Sequence, residues 1–202
     1  MKIDIERLRA VLLATPDEGE VVQEDWIADI PMTPAAVLVP IVLREDGHTL
    51  LMTRRAAHLK DHPGQVSFPG GHVDEGDISP LHTALREAEE EVGLSSERIS
   101  LLGYLPEYRT GTGFRVTPVV AQVSPPFDLR TDPFEVDEVF EVPLAFVLDP
   151  ANHKQHSLFY RGAMRHFHAI PYGDYFIWGA TAGMIKTLFD RLSAQGGFSQ
   201  AG

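Results

Sequence analysis

The chain has no cysteine among its 202 residues. That absence removes disulfides, thiolate zinc centres, iron–sulfur clusters and a cysteine nucleophile from consideration. Positive charge is scarce as well: 17 Lys and Arg stand against 29 Asp and Glu, a formal net charge of −12. Such a balance argues against broad binding to nucleic acid or to anionic lipid. An acidic protein that handles an acidic ligand needs local cations, either a metal or clustered Arg and Lys. Long apolar runs are also missing. The longest, residues 35–43, is too short to span a bilayer and contains Pro40. The first 13 residues alternate charged and apolar side chains, unlike a signal peptide, and the final Gln-Ala-Gly matches no C-terminal sorting signal. A cytoplasmic protein is expected, with no membrane or nucleic-acid partner.

What is present is ordinary for a globular protein: 44% hydrophobic residues, 23% charged residues and 15 prolines. The length suffices for a sizeable core. Ile3, Ile5, Leu8, Val11 and Leu12 mark an amphipathic N-terminal helix, and residues 15–34 read as an irregular connector. Strands are expected at 37–43, 49–53, 99–105, 117–123 and 138–142, with residues 54–65 as a basic loop. A short helix from Pro143, a late hairpin at 158–160 and 165–170, and a C-terminal helix from about 180 to 192 complete the pattern. No internal repeat or low-complexity tract appears. Interleaved strands and helices imply an α/β fold with a mixed sheet. The expected organisation is one domain over 1–202, in which 1–34 supplies the N-terminal helix and connector and 195–202 a fraying tail.

The densest chemistry lies between Ser79 and Gly93. Ser79 can cap a helix whose first residue is Pro80, and Gly93 sits where that helix should end. Leu81, Ala84, Leu85, Ala88 and Val92 form its apolar stripe. Within it, residues 87–91 carry four carboxylates in five positions. At about 100° per residue, Glu87 and Glu91 lie roughly 40° apart, and Glu90 about 60° to the other side of Glu87. Acids crowded on one face repel each other unless a cation sits between them, and a hard divalent ion prefers oxygen ligands. A solvated charged face is the alternative reading.

With the preceding Gly70-Gly71 turn, Arg86-Glu87-Ala88-Glu89-Glu90-Glu91-Val92-Gly93-Leu94 resembles the Nudix hydrolases. Their box runs Gly, five residues, Glu, seven residues, then Arg-Glu-apolar-any-Glu-Glu-any-Gly-apolar. Residues 86–94 match the second half at every fixed position. The first half departs: Gly71 stands fifteen residues before Arg86 instead of fourteen, Ile78 occupies the place of the first Glu, and Asp77 is the nearest acid. The resemblance implies a Nudix α/β/α sandwich with a mixed, partly antiparallel sheet. It also implies Mg²⁺ or Mn²⁺ held by Glu87, Glu90 and Glu91, and Arg86 orienting those carboxylates. The base that activates water is left open among Glu90, Glu135 and Glu138.

Upstream, Leu51-Met52-Thr53-Arg54-Arg55-Ala56, Lys60, Gly64 and Phe68-Pro69-Gly70-Gly71 resemble the extra motif of the coenzyme A pyrophosphatase branch. Its spacing is preserved, and Met52, Ala56 and Lys60 replace Leu, Ser and Arg. The segment Ile177-Trp178-Gly179-Ala180-Thr181 is also similar to that branch. The resemblance implies cleavage of coenzyme A or its thioesters to 3′-phosphoadenosine 5′-phosphate and phosphopantetheine. Arg55, Lys60 and, more weakly, Arg54 become candidate phosphate contacts, Lys60 without bidentate geometry. Gly70 and Gly71 would form the turn beside the substrate. The small-molecule partner is then a coenzyme A-like nucleotide, and a homodimer is a candidate assembly.

The alternatives are a hydrolase of other nucleoside-diphosphate-linked compounds (ADP-ribose, NADH, nucleoside triphosphates) and a non-catalytic nucleotide-sensing module. Nine histidines invite a zinc reading, but no His-Glu-x-x-His pattern appears. Gly111-Thr112-Gly113 reads as a hairpin tip more readily than as a phosphate cradle. Tyr104, Tyr108 and Phe114 could line a ligand pocket, though aromatic residues in strands are usually core.

Overall fold

A computed structural model describes residues 4–16, 21–27, 30–60, 62–160 and 162–196. Its spine is β2 (Thr33–Val42), which pairs in parallel along its whole length with β8 (Phe114–Val123). Its other edge is shared by β5 (Gly70–His72), against Ala35–Val37, and β3 (Thr49–Arg55), against Ile41 and Val42. Pro40 falls where β2 changes partner from β5 to β3. A missing N–H costs least at such a position, so a proline fits inside an otherwise central strand. β3 pairs in turn with β4 (Val66–Ser67) and β9 (Val136–Pro143). β8 also takes β6 (Ile99–Tyr104) and β7 (Tyr108–Arg109).

Two-residue alternation sorts the side chains of this mixed sheet onto two cores. Ala36, Leu38, Val42, Leu51, Val119, Ala121 and Val123 pack with Ala84, Ala88 and Val92 of α2 (Pro80–Val92). Ala35, Val39, Ile41, Leu50, Met52 and Val120 face the opposite way, onto α4 (Gly179–Ala194) through Ile185, Leu188 and Leu192. That second core also takes α1 (Ile5–Val11), α3 (Leu144–Val147) and a three-stranded antiparallel sheet. The small sheet consists of β10 (Lys154–Tyr160), β11 (Ala163–Tyr172) and β12 (Tyr175–Trp178). The result is an α/β/α sandwich.

The helices begin and end as their capping residues dictate. Ser79 Oγ accepts from the N–H of His82 at 3.1 Å, and Gly93 closes α2 at φ 68°. The connector is less irregular than its composition suggested: Val22 and Gln23 form β1, parallel to β7. Likewise Arg54 and Arg55 belong to β3 rather than to the basic loop. The short strands β4, β5 and β7, two or three residues each, carry too little periodicity to be visible in sequence. The frayed-tail expectation falls mostly on residues 197–202, outside those described, as do Ile3 and part of the connector. Among the described residues no helix is long and apolar enough to cross a membrane.

Candidate active site

The site is assembled where α2 crosses the Gly-Gly turn of β5. Gly70 must be glycine, since at φ 155° a Cβ would lie 2.4 Å from the carbonyl oxygen of Ala36. At Gly71 the neighbour is a side chain instead of backbone: a Cβ there would sit 2.5 Å from the Glu87 carboxyl carbon and 2.5 Å from its Oε1. The turn therefore runs directly beneath the acids. Its Gly70 N–H donates to Glu91 Oε2 at 3.1 Å.

Glu91 is only 5% exposed. Burial pushes its carboxyl up to about 8, the Gly70 N–H opposes that rise, and the charges of Glu87 and Glu135 add to it. The charge of Arg55 lowers it, the smallest of these effects. Glu87 is raised in the same way, by burial first, against the pull of Arg86. Among the described residues the buried Nε of Arg55 has no hydrogen-bond partner. A buried carboxyl with little opposing charge, Glu91, thus lies within the field of a guanidinium whose Nε is short of an acceptor.

Arg86 organises the outer side of the cluster. Its Nη1 donates to Glu87 Oε1 at 2.8 Å and to Glu90 Oε2 at 3.1 Å. Nε and Nη2 reach Asp77 Oδ1 and Oδ2 at 3.2 and 2.9 Å, and Nη2 also reaches the carbonyl of His72. Asp77 accepts further from the N–H of Asp74 and from Thr83 Oγ1, and its Oδ1 lies 2.8 Å from His82 Nδ1. Arg86 first, then the Asp74 N–H, hold its carboxyl well below the usual carboxylate range. The one-residue shift in the box thus brings Asp77, not Ile78, to the arginine. Ile78 is 89% exposed.

The resemblance implied that Glu87, Glu90 and Glu91 together hold Mg²⁺ or Mn²⁺. The structure brings Glu87 and Glu91 into mutual electrostatic range, while Glu90, 61% exposed, turns to Arg86. Among the described residues no three Asp, Glu or His side chains are gathered closely enough to hold an ion. Glu138, a candidate base in the sequence, lies on the other face of the sheet. It shares strand parity with Phe140 and Val142, which pack on the core opposite α2. There it pairs with Arg54 at 2.9 Å and accepts from Tyr175 Oη at 2.7 Å. Glu135, from the turn before β9, is the acid that adds to the field on Glu87 and Glu91.

Arg54 and Arg55 face opposite sides of β3, so only Arg55 reaches the acids. Lys60 is exposed and makes no ion pair among the described residues. Tyr104 and Tyr108 are core residues, and Phe114 packs on the ring of His72 at 5.3 Å. Gly111–Gly113 is the β7–β8 hairpin tip, with the Gly113 N–H donating to the Thr110 carbonyl. Two side chains escaped the sequence reading. Thr83 on α2 accompanies Asp77, and Tyr175 secures Glu138; neither lies in a pattern that would single it out.

A family model described as NUDIX domain matches residues 32–163. The uncharacterized Nudix hydrolase NudL of Escherichia coli K12 is 44% identical over 154 residues, which cover 76% of this chain and 80% of that protein. Two solved structures share the fold. The MutT protein from Methanosarcina mazei Go1 has a TM-score of 0.53 at 18% identity, covering 84% of this chain and 98% of that one. A MutT/nudix family protein from Enterococcus faecalis has a TM-score of 0.51 at 17% identity, covering 85% and 66%.

Proposed function

Because the chain belongs to the Nudix hydrolase family, and is accordingly a pyrophosphatase, we propose that its substrate is coenzyme A or a coenzyme A thioester. The products would be 3′-phosphoadenosine 5′-phosphate and phosphopantetheine, free or acylated. The observation that carries this reading is the pairing of under-neutralised acids with an under-satisfied cation. Burial keeps the carboxyls of Glu87 and Glu91 raised despite Arg86 on the first and the charge of Arg55 on the second, and among the described residues Arg55 Nε lacks an acceptor. A diphosphate with its counter-ion supplies both deficits at once.

Nudix hydrolases generally use divalent ions such as Mg²⁺ or Mn²⁺. The residues fit such an ion: the donors are all carboxylate oxygens, and burial and mutual repulsion leave them in want of a hard cation. Glu87 and Glu91 would hold it, with Glu90 at the rim. Bound there, such an ion would supply positive charge to diphosphate oxygens and would lower the pKa of a water molecule. The chain's own residues do the remainder. Gly70 N–H and Arg86 fix the directions of Glu91 and Glu87, Asp77 fixes Arg86, and Arg55 takes a phosphate oxygen. Glu135 and Glu90 are the candidate acids for receiving a proton from water.

The choice of coenzyme A rests on residues 51–71, whose spacing matches the motif of that branch, and on Arg55 and Lys60 as contacts for its phosphates. The test compares coenzyme A with dephospho-coenzyme A, ADP-ribose and NADH. The proposal expects kcat/KM for coenzyme A to lead the panel by tenfold or more. Lys60→Ala should narrow the gap between coenzyme A and its dephospho form. Faster turnover of ADP-ribose or NADH than of coenzyme A would replace this substrate with the broader nucleoside-diphosphate class.

A further inference from the structure

On the face of β3 opposite the acids lies a cavity of about 360 Å³, between residues 62–66 and β12. A volume near the lower end of the ligand-pocket range suits one ring system rather than a whole cofactor. The walls are aromatic on one side and polar on the other. Phe176 is 43% exposed on the rim, and Trp178 stands beside it, its ring set edge-on against Phe167 at 5.4 Å. Opposite them, Gln65 has its backbone fixed: its carbonyl accepts from Arg55 and its N–H donates to His62. Its carboxamide makes no hydrogen bond among the described residues, and neither does the indole N–H of Trp178. His62 reaches this wall in the left-handed region, at φ 54°, a conformation that a residue with a side chain adopts at some cost.

The electrostatics select a neutral ligand. Arg54, the guanidinium in the wall, is already paired with Glu138, and Asp174 adds a negative charge at the mouth. A phosphate would meet no free arginine there. Exposed aromatic faces beside a carboxamide that offers a donor and an acceptor side by side match a purine, whose ring stacks while its edge pairs with glutamine. The cavity is also within reach of the chemistry. Gly70, whose N–H holds Glu91, is five steps along the chain from Gln65, so the two backbones lie at most about 18 Å apart.

The geometry points to this cavity as the purine subsite of the same ligand whose diphosphate meets Arg55 and the acids. Gln65 reads the base edge, and Phe176 and Trp178 stack it. This inference rests on the reading of the chain as a hydrolase of a nucleotide-containing diphosphate, but its test does not require turnover.

Adenosine 5′-monophosphate is titrated into the metal-free protein while Trp178 is followed by fluorescence. The chain has two tryptophans, so Trp26→Phe isolates the signal; should that variant misfold, the Trp178 indole N–H is followed by NMR in wild type. The expected result is a saturable change with adenosine monophosphate, and binding at least tenfold weaker with uridine monophosphate. Gln65→Ala and Phe176→Ala should each weaken the purine about tenfold and raise KM for a purine-bearing substrate more than they lower kcat. Hydrolysis of diphosphates with a silent Trp178, equal binding of the two monophosphates, or a response to pantetheine in place of the purine would overturn the subsite and leave the proposed function standing. A purine response in a protein that hydrolyses no diphosphate would support the subsite and remove the proposed function.

Discussion

Replacing Glu91 by glutamine should destroy activity and yet stabilise the metal-free protein. Glu91 is 5% exposed and its carboxyl is pushed from an ordinary 4.5 up to about 8, chiefly by burial. A carboxyl of raised folded pKa is held as the neutral acid while the unfolded chain ionises. The contribution of Glu91 to the stability of the metal-free wild type is therefore fully present below about pH 4.5 and is lost as pH rises towards 8, where the folded site must also ionise. At about 1.4 kcal/mol per pH unit the full loss is about 5 kcal/mol. Coupling to Glu87 and Glu135 spreads part of it over neighbouring acids, leaving about 2–4 kcal/mol attributable to Glu91 itself. Glutamine keeps the shape and can still accept from Gly70, but carries no charge.

The assay is thermal unfolding in EDTA at pH 5 and pH 8.5. Wild type and Glu91→Gln should melt together, within about 2 °C, at the lower pH. At the higher pH the variant should melt about 5–12 °C later, using about 2–4 °C per kcal/mol for a chain of this size. A variant that is equally or less stable at pH 8.5 would show that Glu91 is not a buried, unbalanced charge. The argument for a cation beside it would then fail.

Four further outcomes follow from the geometry. Gly71→Ala places a Cβ where the Glu87 carboxylate lies, so kcat should fall about 100-fold while circular dichroism and melting stay near wild type. Asp77→Asn removes the charge that anchors Arg86. It should lower kcat by about 10- to 100-fold with a smaller change in KM, read from initial rates, as for other groups that orient metal-binding side chains. Leu38→Ala, at a fully buried site between β2 and α2, should cost about 2–5 kcal/mol in urea unfolding. For Glu141, burial would raise the carboxyl, but hydrogen bonds from Arg44 and Thr49 outweigh it and hold the group below 4.5. Its contribution is thus present above pH 4.5 and lost as pH falls through the lower folded value. Half exposure of Arg44 limits the effect of Glu141→Gln to less than about 1 kcal/mol, vanishing in acid.

Much of this architecture was legible in the residues because long elements carry their own periodicity. α2 shows its cap, its apolar stripe and its terminal glycine in thirteen residues, and β2 and β8 show apolar runs that only buried strands support. The two-residue strands escaped because they are defined by partners distant in sequence, as β1 is by β7. The site divides in the same way. That Glu87 and Glu91 share a face follows from helical spacing, whereas a role for Arg86 came from the resemblance. Asp77 follows from neither, because its role arises from a loop that is one residue longer and swings it back onto Arg86. For Glu138, proximity in sequence to Glu135 says nothing about which face of β9 a side chain takes. Strand parity settled that, and it needed the register with Arg54 and Tyr175 to become visible.

The most direct test of the central claim is chromatography of products from coenzyme A and Mn²⁺, run in parallel for wild type and Glu91→Gln. The account predicts 3′-phosphoadenosine 5′-phosphate and phosphopantetheine in equal amounts from wild type, none after chelation, and a rate at least about 100-fold lower in the variant. Metal-independent cleavage, or a variant within a few-fold of wild type, would contradict it.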